Sequence, residues 1–165
     1  MTGVPARVAW AVELVDPQPH ERVLEAGCGP GVAAQLVGAR LTTGWLLAVD
    51  RSATAVRRTA VRVAGLPVDV RAAELADIGA DAEFDAAFTV DVNAFWTRPD
   101  GPELGVLARA LRPGGRLLVL YGAGGPTAET RVTGPIAAGM TALGLAGVRV
   151  VRDEAGTGVV GRRPG

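Results

Sequence analysis

The chain has 165 residues, a length that suits one domain better than two. It is 48% hydrophobic but only 4% aromatic, so a full core can be buried and must be built mainly from Ala, Val and Leu. Formal net charge is zero with all seventeen basic residues arginine, and the terminal pair Arg162 and Arg163 is too short for a basic tail, which speaks against a nucleic-acid partner. A single cysteine, Cys28, rules out an intramolecular disulfide, and with one histidine, His20, no dedicated metal site is expected. No apolar run approaches the roughly 20 residues needed to span a bilayer, and the N-terminus lacks a basic stretch followed by an apolar segment. The expectation is a cytoplasmic protein with no membrane partner.

In chain order, apolar stripes of helical spacing alternate with short apolar runs. A helix is predicted over 5–15, with Val8, Ala11, Val12 and Val15 on one stripe, stopped by Asp16-Pro17-Gln18-Pro19. A strand over 22–26 leads through a glycine loop to a helix over 32–39. A strand over 45–49 closes on Asp50 and precedes a helix over 53–64, whose Arg57, Arg58 and Arg62 read as a solvated face. A strand over 68–71, a loop or short helix over 73–82 and a strand over 84–90 follow. The acids Asp77, Asp81, Glu83 and Asp85 read as a solvated acidic loop in preference to a metal cluster. A helix over 102–111 is stopped by Arg112-Pro113-Gly114-Gly115, and a strand runs over 116–121. A helix over 127–143 and two strands over 148–152 and 158–161, paired as a hairpin across 153–157, complete the pattern. Alternating strands and helices argue for an α/β domain with a mainly parallel sheet.

The segment Val23-Leu24-Glu25-Ala26-Gly27-Cys28-Gly29-Pro30-Gly31 leaves a strand and enters a helix. Ligands of open α/β sheets bind at the carboxyl ends of the strands, where connections diverge. Glycine serves there because the backbone must turn with positive φ or approach a ligand closely. A dinucleotide fingerprint fits poorly: the register through Gly29, Gly31 and Ala34 extends the strand across Gly27 and Cys28, and the register from Gly27 puts Val32 where a small residue belongs. Glu25, two residues before the loop, would repel a pyrophosphate and suits an ammonium, directly or through water.

These residues resemble the class I S-adenosylmethionine-dependent methyltransferases. The likeness rests on three motifs in order: Glu25-Ala26-Gly27-Cys28-Gly29-Pro30-Gly31, then Asp50 at the end of Leu47-Ala48-Val49-Asp50-Arg51-Ser52, then Leu111-Arg112-Pro113-Gly114-Gly115 before the fifth strand. It covers about Val23 to Tyr121. The resemblance implies a Rossmann-like three-layer sandwich with a mainly parallel seven-stranded sheet and a C-terminal antiparallel hairpin, in one domain over 1–165, with a cofactor-binding half over about 1–90 and a substrate-side half over about 91–165. It implies S-adenosyl-L-methionine as cofactor, with Glu25, Gly27, Cys28, Gly29 and Gly31 around its methionine part. Asp50 would hold the ribose hydroxyls, a task that suits a two-oxygen acceptor. Arg51 and Val90 would flank the cofactor, and Glu74 with Leu75 stands where the family has Asp-Ala near the adenine.

Methyl transfer by in-line displacement asks the protein mainly to position the partners and exclude water. Asp91 and Asn93, after the fourth strand, are the candidates for contact with the cofactor's ammonium or the substrate; Asn93 serves equally as a cap for the next turn. Trp96 and Tyr121 are candidates for the substrate side, against plain packing roles. Cys28 reads as a packing residue, and His20 as an exposed turn residue. The substrate expected is a small molecule, and a homodimer is compatible with the sparse cover over the site. Two other readings stand beside this one: a nicotinamide-dependent reductase, which fits Asp50 but not Glu25 and lacks a lysine, and a non-catalytic domain that binds the cofactor or acts through a partner.

Overall fold

A computed structural model describes residues 3–124 and 129–165. Seven strands form one sheet: β1 (Arg22–Ala26), β2 (Trp45–Asp50), β3 (Val68–Ala72), β4 (Phe84–Val90), β5 (Leu111–Gly122), β6 (Ala146–Asp153) and β7 (Gly156–Arg162). Their spatial order is β3-β2-β1-β4-β5-β7-β6, with every pair parallel up to β5 and β7 antiparallel to both neighbours. Chain order reverses between β1 and β4, the switch point at which such sheets open a crevice.

Alternation along the strands divides the core into two layers. On one face, Leu24, Leu47, Ala87 and Leu117 pack under α5 (Glu103–Ala110) and α6 (Glu129–Ala142) through Leu107, Ile136 and Met140. On the other, Val23, Leu46, Phe88 and Leu118 pack under α1 (Ala6–Val15) and α2 (Val32–Gly38) through Val12, Val15 and Val37. The helix α3 (Ala53–Arg62) is capped by Ser52, whose hydroxyl accepts from the Ala55 N–H at 3.2 Å. The result is the three-layer sandwich with a C-terminal hairpin expected from the sequence. No helix among the described residues is long and apolar enough to cross a membrane.

Four local expectations need correction. The turn Arg112-Pro113-Gly114-Gly115 lies inside β5 as an irregularity: Phe84 pairs with Leu111, and the register then jumps so that Ala86 pairs with Arg116. The terminal hairpin is tighter than expected, β6 and β7 leaving only Glu154 and Ala155 between them, with the Asp153 carboxylate accepting from the Ala155 N–H. A short helix, α4 (Ala94–Thr97), follows β4 where no helix was expected; four residues are too few to show a period. Asp85 is part of β4 and not of a solvated loop: it accepts from the Arg22 N–H at 2.8 Å and from Arg112 at 2.9 Å. The start of the helix expected at Thr127 lies outside the described residues.

Arg116 ties the first helix to the sheet. Its guanidinium donates to the Val15 carbonyl at 2.9 and 2.7 Å, closing the C-terminal end of α1, and to both carboxylate oxygens of Glu21 at 2.7 Å. Burial pushes the Glu21 carboxyl up, but the Arg116 hydrogen bonds and charge with the Gln18 N–H outweigh it, and the group titrates below its ordinary value. An acid held low in the folded state stabilises it at pH above the unfolded value, and that contribution disappears as pH falls through the folded value. Glu21→Gln is therefore expected to cost about 3 kcal/mol at neutral pH, the scale for breaking a largely buried pair. Urea melts should show the gap to the parent protein closing below about pH 4.

Candidate functional site

A cavity of about 880 Å³ opens at the carboxyl ends of β1, β2, β3 and β4, within the roughly 300–1,000 Å³ range of small-molecule sites. Its walls come from four places: Gly27 and Gly29 after β1; Val49, Asp50 and Arg51 at the end of β2; residues 73–77 after β3; and residues 90–94 after β4, continued by Thr97, Arg98, Pro102 and Glu103. Of the residues expected at the cofactor, Gly27, Gly29, Asp50, Arg51, Glu74, Leu75 and Val90 line it, as do Asp91 and Asn93. Glu25, Cys28, Gly31, Trp96 and Tyr121 are not on its wall.

The loop is fastened to β2 by its own backbone: the N–H groups of Gly27 and Cys28 both donate to the Val49 carbonyl, at 2.7 and 3.0 Å. Beyond that the glycines do different things. Gly29 has φ +52°, and a Cβ there would meet nothing within 4 Å, so its α-carbon faces open space at the cavity. Gly31 has φ +81°, and a Cβ there would lie 2.7 Å from the Thr59 hydroxyl and 2.9 Å from its Cα, so Gly31 is where α3 presses against the loop. Asp50 is oriented before any ligand arrives: one carboxylate oxygen accepts from the Gly29 N–H at 2.9 Å, the other from the Ser52 N–H at 2.8 Å. Each oxygen keeps a second lone-pair direction for a donor in the cavity.

Glu25 lies behind the loop on the α1–α2 face of β1, level with Ala48 and Phe88. It is buried, and its Oε2 has no partner. Burial, and next the charge of Asp50, push its carboxyl well above the ordinary range. A buried acceptor left open behind the glycine loop is what a water, carrying a hydrogen bond from an ammonium, would satisfy. Cys28 is also buried, and burial pushes its thiol up to about 11, which leaves it protonated and a poor nucleophile at neutral pH.

On the β4 side the carboxylate of Asp91 is already engaged. One oxygen accepts from the Gly122 N–H at 2.8 Å and the other from the Arg7 Nε–H at 2.7 Å, with the residue itself at φ +59°. Asp91 is thus a brace between the ends of β4 and β5 as well as a lining residue. Asn93 occupies the N-cap position of α4, yet its side chain makes no backbone cap and accepts from the Trp96 indole N–H at 3.3 Å. Tyr121 is buried, its hydroxyl donating to the Val92 carbonyl at 2.7 Å, and burial raises it above its ordinary value. Trp96 and Tyr121 therefore hold the wall from behind.

The far wall is made of residues that no sequence motif marked. Thr97, Arg98 and Glu103 face the cavity, with Arg98 donating to Glu103 at 2.5 Å. Asp77 faces it too, although its place in an acidic stretch suggested a solvated loop. Arg62, expected on a solvated face, donates to the Pro30 carbonyl of the glycine loop at 2.8 Å. No group of three metal-ligating side chains occurs among the described residues.

Residues 23–115, more than half of the chain, match the family model of a methyltransferase domain. The chain belongs to that methyltransferase family. Its fold is that of the class I S-adenosylmethionine-dependent enzymes, and S-adenosylmethionine is the family's cofactor. The methyltransferase chain is 32% identical over 136 residues to nocamycin O-methyltransferase of Saccharothrix syringae, covering 78% of its own length and 47% of that protein, so it spans about half of its curated relative. It superposes on a SAM-dependent O-methyltransferase of Thermotoga maritima with TM-score 0.80 at 14% identity, over 100% of this chain and 67% of the other. It also superposes on the [4+2]-cyclase SpnF with TM-score 0.75 at 19% identity, over 95% and 79% of the two chains. The residues present fit the cofactor: an oriented acid at the end of β2, an open glycine face and an unsatisfied buried carboxyl oxygen.

Two outcomes separate the glycines and the acid of this methyltransferase. Gly29→Ala should fold with a loss of about 1–2 kcal/mol from its positive φ, whereas Gly31→Ala should lose more, because its Cβ meets the Thr59 backbone; paired urea melts read the difference. Glu25 carries a raised folded-state value, so native stability declines as pH rises from the unfolded value toward the folded one. Glu25→Gln removes that decline, and its stability advantage over the parent should widen between about pH 4.5 and pH 7 in thermal melts.

Proposed function

We propose that this chain transfers the methyl group of S-adenosylmethionine to a small-molecule acceptor. The single observation that carries the proposal is Asp50: a carboxylate at the end of the second strand, fixed by two backbone N–H groups, open to a cavity that the bare face of Gly29 borders beside it. In this reading Asp50 takes the vicinal ribose hydroxyls and the Gly27–Gly29 backbone borders the methionine part. The open oxygen of Glu25 receives the ammonium through water. Arg51, Glu74, Leu75 and Val90 border the adenine side, and Asn93 borders the acceptor.

S-adenosylmethionine supplies a methyl group on a sulfonium, a carbon reactive enough that alignment with the nucleophile does most of the work. The chain's own residues bind, orient and exclude water. A general base is not part of the proposal: the Asp91 carboxylate is held by Arg7 and Gly122, and the Tyr121 hydroxyl by Val92. The Tyr121 bond also weakens the nicotinamide-reductase reading, which would need a free, acidified tyrosine beside a lysine. The small-molecule acceptor is supported by the relative whose name is nocamycin O-methyltransferase and by a chain with zero net charge.

Calorimetric titration with S-adenosylhomocysteine and with NAD(P) tests the seat. Binding of the first alone is expected; binding of NAD(P) instead, or of neither, would remove the proposal. Asp50→Ala should weaken S-adenosylhomocysteine by about 1–3 kcal/mol, the usual loss on deleting a buried polar partner, and an unchanged affinity would show the ribose assignment to be wrong. Methyl transfer itself is read as S-adenosylhomocysteine formed with a panel of small hydroxyl, amine and thiol acceptors.

A further inference from the structure

The helix α3 contributes no residue to the cavity wall, yet it holds the loop that forms part of it. Thr59, on the second turn of α3, is fully buried. Its hydroxyl donates to the Gly29 carbonyl at 2.9 Å and accepts from the Cys28 thiol at 3.6 Å. Its Cα, Cγ2 and Oγ1 fill the space that a side chain on Gly31 would need. One turn on, Arg62 donates to the Pro30 carbonyl at 2.8 Å. The N–H of the same Gly29 is held by Asp50 at 2.9 Å. Both polar groups of the glycine that faces the cavity are therefore fixed, one by the end of β2 and one by the helix that β2 feeds.

From this geometry we infer that Thr59 is a positioning residue for the cofactor: by holding the Gly29 carbonyl it sets the loop in the one arrangement that leaves Gly29 bare to the cavity and its N–H on Asp50. A glycine at positive φ has more competing conformations than any other residue, so a loop of alternating glycines is not fixed by its own sequence. The constraint has to come from outside the loop. A hydroxyl supplies it with one directed bond, and the thiol of Cys28 supplies that hydroxyl with a donor in turn, so that a short chain of hydrogen bonds runs Cys28 to Thr59 to Gly29. The pressure of Thr59 on Gly31 acts in the same sense, stopping the loop from folding back toward α3. The helix thereby couples two halves of the ligand: the acid proposed for the ribose and the glycine proposed beside the methionine part move only together.

This inference rests on the proposed cofactor seat, and its test separates the two. Titration of the parent chain with S-adenosylhomocysteine comes first, since absence of binding there would overturn the seat itself. Given binding, Thr59→Val keeps the shape and burial and removes the hydroxyl; S-adenosylhomocysteine should bind about threefold to tenfold more weakly, the worth of one directed hydrogen bond. Thr59→Ser restores the hydroxyl and should bind within about twofold of the parent. A merely structural threonine would lower the melting temperature in the valine variant and leave the affinity of the folded protein alone, so equal affinities of parent and Thr59→Val would overturn the inference, as would a serine variant as weak as the valine one. A measurement on the parent protein stands even if the valine variant does not fold. Saturating S-adenosylhomocysteine should slow amide hydrogen exchange in the second half of α3, around Thr59 and Arg62, because coupling between loop and helix is reciprocal. Exchange there that is blind to the ligand would equally overturn it.

Discussion

The hydrogen bond from the Gly29 N–H to the Asp50 carboxylate joins the end of the first strand to the end of the second, and the site depends on it. The sheet order makes it possible. β1 and β2 are parallel neighbours in register from Arg22 opposite Trp45 to Ala26 opposite Val49, so their carboxyl ends emerge side by side. The glycine loop then crosses over the end of β2, its first two N–H groups taken by the Val49 carbonyl. Only after those bonds is Gly29 brought beside Asp50. A carboxylate held by two backbone donors does not have to reorganise when a ligand arrives, and such preorganisation is where binding sites gain over flexible ones.

Much of this was legible in the sequence, for reasons that can be named. The strands β1 and β4 stand where short apolar runs are bounded by turn residues, and a fully buried parallel strand has few other ways to look. Asp50 stood out as an acid ending such a run. The alternating glycines marked a backbone with unusual turns, and three motifs in fixed order pointed to one family. What escaped are contacts between residues far apart in the chain. Arg7 meets Asp91 across 84 positions, and Arg62 meets Pro30 across 32. Periodicity assigns a residue to a face of its own helix; it does not say what the rest of the chain lays against that face. The arginine face of α3 is exposed as expected, and what its period could not show is that Arg62 reaches Pro30 from that face.

The same distinction applies within the glycine motif. Its three glycines look equivalent as letters, and the backbone does bend to positive φ at each. Their neighbours differ: Val92 crowds Gly27, Thr59 crowds Gly31, and Gly29 alone is open. Burial splits the acids in a similar way. Asp50 is an oriented acceptor on the cavity wall, while Glu25, on the adjacent strand, is sealed behind the loop with an oxygen unsatisfied. An unsatisfied buried group costs stability in the free protein, and a cost of that kind is often met where structure has been given over to binding.

The brace at the end of β4 has a consequence for turnover. Arg7 meets the charge of Asp91, the acid at the close of the central strand. In the proposed seating, Asp50, Gly29 and Glu25 address the ribose and the amino-acid head, which the methyl donor and its demethylated product have in common. Neither the grip on those shared parts nor a carboxylate already countered by a guanidinium distinguishes a positively charged sulfonium from a neutral thioether. In the proposed seating those contacts would therefore grip the methyl donor and its demethylated product alike, and discrimination between the two would fall to the rest of the cavity wall.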